Sequence, residues 1–403
     1  MSGEIVRLEA RRRFLRGSAA AGGLGLLGLG GCAAARPGTA LAGLASMDAV
    51  PPLAPVRAHA DRIMKITVCL RPFRAQGPRL DVEQVGDKTV VHNYGHGGSG
   101  WSLSWGSSSI AVKKALAAGE REVGVIGCGA LGLTSALLLQ QAGVKTTIYA
   151  KELIPQTRSA RATGTWSPDS RIALAKAAGP EFPALWEEMC RTSFAAYQTY
   201  LGLPGDPVVW SDRYTVSDLS PQEMRARRQE HDPIGFASYQ ERVRDLTPRS
   251  QLLAAGTHPF AAPYVQRNTS LQFNVAALGR RLMNDFLLAG GRIETREFHA
   301  PADLAALKEK TLVNCTGYGA RALWKDESIT PVRGQIAWLI PQAEVNYGVF
   351  YKNVTMLSRS DGVIIQDTGP DEGAGYGDAN ETPDRASAEA AVATIAELYS
   401  RSR

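Results

Sequence analysis

Apolar and polar residues follow several different rhythms along the chain, and each change of rhythm marks an element. Residues 66–70 form an apolar run that stops at Arg71 and Pro72, the pattern of a short strand. Val123 to Ile126 is a second such run. Glycines follow at positions 127, 129 and 132, and an Ala/Leu-rich helix continues to residue 142. Lys145 to Ala150 then reads as another strand. Strand, glycine turn, helix and strand in succession predict a parallel sheet of the α/β class. Cys128 and Cys315 fall in segments that read as buried strand ends, so inert buried thiols are expected there. Residues 386–400 space their apolar positions as an amphipathic helix does.

The N-terminal pattern is different. Residues 11–16 read RRRFLR, and a weakly apolar Gly/Ala/Leu stretch covers 17–31. That stretch is too short and too rich in glycine for a membrane-spanning helix. Arginines followed by Phe14 and Leu15 resemble a twin-arginine export signal. Leu29, Gly30, Gly31 and Cys32 resemble a lipobox, which would make Cys32 the lipidated first residue and a membrane anchor. Cleavage at an Ala-x-Ala site, 33–35 or 40–42, is the alternative. The expected location is the periplasm or cell surface. Residues 33–60, rich in Ala and Pro, read as a linker.

Charge narrows the partners. The formal net charge is +6. Arg7, Arg11, Arg12, Arg13 and Arg16 against Glu4 and Glu9 already give +3 (5 − 2). No later basic stripe is interleaved with aromatics, so nucleic acid is not an expected partner. The five cysteines show no CxxC and no zinc spacing. His92 and His96 would need a helix to share a metal, and the glycines among them oppose one. No metal is expected.

The glycine turn carries the clearest chemistry. Gly127 permits a tight turn, Gly129 lets backbone approach a pyrophosphate, and Gly132 lets helix and strand pack closely. Ala130 and Leu131 open the helix whose N-terminus favours the phosphate charge. Glu152 stands about where an acid for the ribose hydroxyls is expected. This pattern predicts a dinucleotide without separating FAD from NAD.

Several further segments agree with one another. Residues 89–107 read TVVHNYGHGGSGWSLSWGS. Upstream lie Leu70-Arg71-Pro72-Phe73-Arg74 and Arg79-Leu80. Residues 155–168 read PQTRSARATGTWSP, 313–317 read VNCTG, and 333–335 read RGQ. Together they resemble the D-amino-acid oxidase family, over nearly all of the chain after residue 60. The resemblance implies a Rossmann-type FAD-binding domain with a second, α+β substrate domain. It places the first in 61–176 and 265–330, the second in 177–264 and 331–375, and a C-terminal helix in 376–403. It implies FAD as cofactor and oxidation of a small D-amino acid by oxygen.

It also implies roles. Arg71 grips the substrate carboxylate, Tyr351 assists it, and Gly98 turns its carbonyl to the substrate amine. Gly97, Gly98, Ser99 and Gly100 form a tight loop against the flavin ring, and Ser102 contacts that ring. Thr157, Ser159 and Gly164 lie on the flavin loop, where Trp166 packs. Arg74 is structural. The sequence departs from the family at Lys151, where an acid is usual, at Thr355, where a second tyrosine is frequent, and at Gln366-Asp367, in place of a glycine pair. An acidic substrate would need a further basic group, with Arg359 and Lys352 as candidates. A glycine or N-methyl amino-acid oxidase, a dehydrogenase, and a flavin protein without turnover stay open as alternatives. Oligomeric state is not legible.

The order of segments is not the family's. The block that holds Arg71 and the histidines comes last there and first here. A circular permutation accounts for this. The old termini would be joined through 108–121, and the new ends would open between the last helix and the Arg71 strand. Such cuts are tolerated where two ends lie close on a surface.

Overall fold

The computed structural model of the chain describes residues 52–230 and 234–401. The expected export signal, the lipobox at Cys32 and most of the linker lie outside those residues. The first half contains β1 (Ile63–Arg74), β2 (Val82–Val85), β3 (Lys88–His92), α1 (Gly100–Leu116), β4 (Glu122–Ile126), α2 (Ala130–Gln141), β5 (Lys145–Ala150), and α3 (Phe182–Gln198). Then come β6 (Val208–Ser217), α4 (Pro221–Glu230), β7 (Gln251–Leu252), β8 (Tyr264–Phe273), α5 (Val275–Leu288), β9 (Arg292–Thr295), β10 (Thr311–Asn314), and α6 (Ala320–Leu323). The last part holds β11 (Ile329–Leu339), β12 (Gly348–Tyr351), β13 (Val354–Arg359), β14 (Gly362–Asp367), and α7 (Arg385–Arg401).

The described residues form two large sheets. One has six strands in the order β2-β3-β10-β4-β5-β9. Its pairs are parallel except β2 with β3. A parallel pair needs a crossover, and α2 supplies it between β4 and β5. Val123, Val125 and Ile148 are fully buried between the helices and the sheet, as strands covered on both faces must be. Asn314 and Ile126 end their strands in register. Cys315 N–H therefore donates to the Ile126 carbonyl (2.8 Å), and Gly127 begins its turn beside it. Ligands of such sheets bind outside these carboxyl ends.

The other sheet has eight strands in the order β1-β11-β14-β13-β12-β6-β8-β7. β1 and β11 pair antiparallel along their length, from Ile63 opposite Leu339 to Arg74 opposite Ile329. One face buries an apolar cluster against α7, with Val392, Ile395 and Leu398 facing Met356, Val363 and Ile365. The opposite face carries polar side chains and walls a cavity. Strand side chains alternate between these faces, so parity decides which residues can reach the cavity.

The sequence-based boundaries shift here. Residues 61–74 and 265–273 were expected with the dinucleotide-binding part, but β1 and β8 belong to the eight-stranded sheet. Their backbone partners are β11, more than 250 residues on from β1, and β6, so no local pattern announces the assignment. The segment before β1 and the end of α7 meet at one side chain. The Tyr347 hydroxyl donates to the Ala54 carbonyl (2.6 Å) and bonds the Tyr399 hydroxyl (2.8 Å). At the other junction, only residues 117–121 separate α1 from β4.

Candidate active site

A cavity of about 2440 Å³ runs from the carboxyl ends of the parallel strands to the polar face of the eight-stranded sheet. Small-ligand pockets are typically about 300–1,000 Å³, so this one has room for a large group and a small one together.

The glycines of the turn leave no space for side chains. Gly127 has φ +106°, and a Cβ there would lie 2.6 Å from the Cys315 carbonyl oxygen. At Gly132 it would lie 2.0 Å from the Gly127 carbonyl oxygen, and at Gly129 2.7 Å from Ser159 Oγ. Gly127, Gly129, Ala130 and Leu131 line the cavity, while Gly132 is the packing contact behind them. The first N–H groups of α2 point out of the helix. Ser159 Oγ accepts the one from Ala130 (3.0 Å). Burial raises the nearby Cys128 and Cys315 thiols to about 11 and about 12, which keeps them inert.

The loop between β3 and α1 forms a second wall. Gly97 has φ +54°, and a Cβ there would lie 1.9 Å from the Arg171 carbonyl oxygen. Its N–H donates to the Pro72 carbonyl, and that of Gly98 to the Ser170 carbonyl. Gly97, Gly98, Gly100 and Ser102 line the cavity. Ser99 does not: its hydroxyl turns away to the Ser170 carbonyl (3.1 Å) as the chain enters α1. Ser102 Oγ accepts the Ser167 N–H (2.9 Å). His92 is buried between Glu83 and Asn314 and supports the β3–β10 pair. His96 lines the cavity with neither ring nitrogen bonded, and burial lowers its pKa to about 3.

The loop after β5 joins the two sheets. Thr157 lines the cavity with a buried hydroxyl that has no partner. Gly164 has φ +91° and its carbonyl accepts the Phe273 N–H (2.7 Å). Thr163 bonds Gln366 of β14 (2.7 Å), and Trp166 packs edge-on against Phe194 and Phe273. Glu152 is exposed at the rim, and the preceding Lys151 pairs with Glu297 (3.3 Å).

Arg71 occupies the other end of the cavity. Among the described residues, its guanidinium makes one hydrogen bond, a long one to the Arg333 carbonyl (3.4 Å). Burial, and then the neighbouring Arg171, lower its pKa to about 10. It is therefore a cation at neutral pH, in a buried place that favours a ligand anion. Gly334 makes this position available, because a Cβ there would lie 2.5 Å from the guanidinium. Its neighbours Arg333 and Gln335 reach the other way, to carbonyls of Asn380, Thr382 and Asp384 before α7. Arg74 is structural, bonded to Ser328 and paired with Asp326.

Tyr351 points mainly away from the cavity. Its ring lies in the cluster beneath α7, and its hydroxyl bonds Glu397 (3.1 Å) and Arg401 (2.7 Å). It touches the cavity margin, but Phe350 is the residue whose parity matches Thr355 and Gln366 on the polar face. Arg359 and Lys352 are not free for a substrate either. Arg359 makes two bonds to Asp361 and donates to the carbonyls of Ala162 and Thr163. Lys352 is held by Glu397 (2.7 Å). Sequence reasoning missed Arg171, Arg213 and Phe350, all on the cavity wall. The only sign of Arg213 is the alternation Arg213, Thr215, Ser217, which by itself reads as a solvated strand face.

A family model described as FAD dependent oxidoreductase, DAO, matches residues 122–402. The D-amino-acid oxidase of Streptomyces coelicolor is 31% identical over 218 residues, 54% of this chain and 58% of that protein. That of Rubrobacter xylanophilus is 28% identical over 218 residues, 53% of this chain and 57% of that protein. The chain thus spans a little over half the length of these relatives. The iminodiacetate oxidase from Chelativorans sp. BNC1 is 15% identical over 69% of this chain and 79% of that one, with a TM-score of 0.48. Proteins of the matched family bind FAD, and the residues here fit that group. Gly127 and Gly129 line a cradle at the start of α2, and Gly132 packs behind them where a Cβ would meet the Gly127 carbonyl oxygen. The Thr157 hydroxyl and the His96 ring, buried and unpartnered, face the same cavity.

Proposed function

This chain belongs to the DAO family of FAD-dependent oxidoreductases, and from that premise we propose that it oxidises D-amino acids to 2-oxo acids, ammonia and hydrogen peroxide. The observation that carries the reading is Arg71: a largely buried guanidinium that no carboxylate pairs among the described residues, in the cavity that also holds the dinucleotide cradle. A guanidinium binds a carboxylate with two parallel hydrogen bonds, which fixes orientation as well as charge.

When bound, FAD supplies the hydride acceptor for the substrate α-carbon, with oxygen as the final oxidant. The chain's residues bind and orient. Gly127, Gly129 and the start of α2 would hold the pyrophosphate, and Thr157 and His96 would offer polar contacts nearby. Gly97, Gly98 and Gly100 bring backbone close where side chains would intrude. His96 stays neutral at physiological pH and so adds no charge that competes with Arg71. Phe350 adds an apolar surface where the amino acid would lie.

Thr355 favours a modified pocket, because a small side chain stands where the family often has tyrosine. A glycine-type or N-methyl amino-acid oxidase is the second reading. The purified protein with FAD, mixed anaerobically with D-alanine, D-aspartate, glycine and sarcosine in turn, separates the two. Bleaching of the flavin band by D-amino acids supports the first reading. Bleaching by glycine or sarcosine alone replaces it with the second, and no bleaching by any of the four removes both.

Two further proposals concern the whole chain. The order of segments is a circular permutation of the family's. The meeting of Ala54, Tyr347 and Tyr399, and the short 117–121 junction, support it. A version with residues 52 and 401 linked and 117–121 opened is expected to bind FAD as the native chain does. The protein is exported by the twin-arginine route and lipidated at Cys32. Replacing Arg11 and Arg12 by Lys is expected to retain it in the cytoplasm, and Cys32→Ser to release it from membranes.

A further inference from the structure

A second guanidinium stands in the cavity on terms close to those of Arg71. Arg213 projects from β6 on the polar face of the eight-stranded sheet and lines the cavity. Its Nε is buried without a hydrogen-bond partner. Among the described residues, no carboxylate or carbonyl bonds its guanidinium. Its cross-strand neighbours are Asn268 of β8 and Gly348 of β12. Gly348 makes room for it as Gly334 does for Arg71: a Cβ at 348 would lie 3.0 Å from Arg213 Cγ. Arg359 shows how this sheet treats a structural arginine, with two bonds to Asp361 and two backbone carbonyls. Arg213 has none of these. A buried cation without a counter-ion is unfavourable in the empty protein, and an incoming anion relieves it.

We propose that Arg213 anchors an anionic group at the far end of the substrate side chain, so that the cavity selects D-amino acids with a terminal side-chain carboxylate. This rests on the oxidase reading above, with Arg71 holding the α-carboxylate. The two arginines are five strands apart in the sheet order. On a flat sheet that is about 24 Å at about 4.8 Å per strand, and the two side chains narrow it, since the Arg71 guanidinium lies by Gly334 of β11 and Arg213 Cγ by Gly348 of β12, both strands between the two. The anion therefore sits several carbons from the α-carbon. D-glutamate and longer homologues gain from it, and D-aspartate gains least.

The test compares the holoenzyme with its Arg213→Met and Arg213→Lys variants. The substrates are D-2-aminoadipate and neutral D-norleucine, of similar length. The wild type is expected to favour D-2-aminoadipate in kcat/KM, and Arg213→Met to reduce that preference by about 10- to 100-fold, the range for hydrogen bonds to a charged group. Arg213→Lys is expected to recover part of it. A binding arm uses no turnover: pimelate should raise the Tm of the wild type more than hexanoate does, and Arg213→Met should erase the difference. Without any ligand, Arg213→Met should keep or raise Tm, whereas loss of a structural arginine would lower it. If D-norleucine is oxidised but neither arm distinguishes the anion, the Arg213 proposal falls and the oxidase reading stands. If no D-amino acid is oxidised while pimelate still depends on Arg213, the oxidase reading falls and the anion site stands.

Discussion

The six-stranded and eight-stranded sheets contribute to one cavity by different physical means. The parallel sheet contributes backbone. Its site consists of a turn, a helix start and three glycines where no side chain fits. The eight-stranded mixed sheet contributes side chains on one of its two faces: Arg71, Arg213, Thr355 and Phe350. A backbone site must be written as glycines at fixed spacing, because only they permit the turn and the close approach. A side-chain site on a sheet is written only as parity, and a shift by one residue moves a group to the other face. That is the difference between Phe350 and Tyr351.

The comparison can be broken most directly at Arg71. Arg71→Leu is expected to lower kcat/KM for D-amino acids by roughly 10²–10³-fold, the loss of a charge-assisted pair, with the flavin spectrum retained. Loss of bound flavin instead would make Arg71 part of the cofactor site. The reverse experiment is Gly132→Ala, whose Cβ would meet the Gly127 carbonyl oxygen at 2.0 Å. We expect a destabilisation of about 1–3 kcal/mol, as for overpacking, and a fall in the flavin-to-protein ratio.

His96 links the regions through pH. Its folded pKa of about 3 lies below the ordinary 6.5, so the unfolded chain takes up this proton first as pH falls. The contribution is complete above about pH 6.5 and is lost toward about pH 3. Lowering the pH from about 7 to about 5 should remove roughly 2 kcal/mol through this residue. In His96→Asn, that part of the pH dependence of unfolding should vanish.

Gly334→Ala sharpens the side-chain half of the comparison. The added methyl meets the Arg71 guanidinium at 2.5 Å, so KM should rise about tenfold, the scale of one weakened charge-assisted hydrogen bond, with little change in flavin binding. The smallest effect belongs to Tyr351→Phe. It should change KM less than about twofold and cost about 1 kcal/mol of stability, one buried hydrogen-bonding group. A large rise in KM would return Tyr351 to the substrate site.

Particular residues show how far the sequence could be read. Gly127, Gly132, Gly97 and Gly164 stand where their motifs place them, because each holds a positive φ or meets a backbone carbonyl, and Gly129 because a Cβ there would meet Ser159 Oγ. Arg71 stands out in the sequence between an apolar run and a proline, and the structure places it on the cavity wall, inside a strand that continues past Pro72 to Arg74. Ser99, expected beside the flavin ring, turns its hydroxyl to the Ser170 carbonyl, a partner 71 residues away that no local pattern announces. Arg359 and Lys352 looked available, and Asp361 and Glu397 engage them only in the folded sheet. Arg213 carried no local signal.

What the sequence determined by itself is the turn that cradles a dinucleotide, the loops of glycine beside it and the family its motifs resemble. These are written as glycines and short motifs along the chain, where covalent geometry and φ, ψ restrictions act directly, although the groups the glycines approach, such as the Cys315 carbonyl beside Gly127, lie far off in sequence. Only the tertiary structure decided which sheet β1 joins, which face Tyr351 and Phe350 take, and which arginines are left without an acid. Strand pairing and burial join residues hundreds of positions apart, so the charge balance of the cavity exists only once the chain has folded around it.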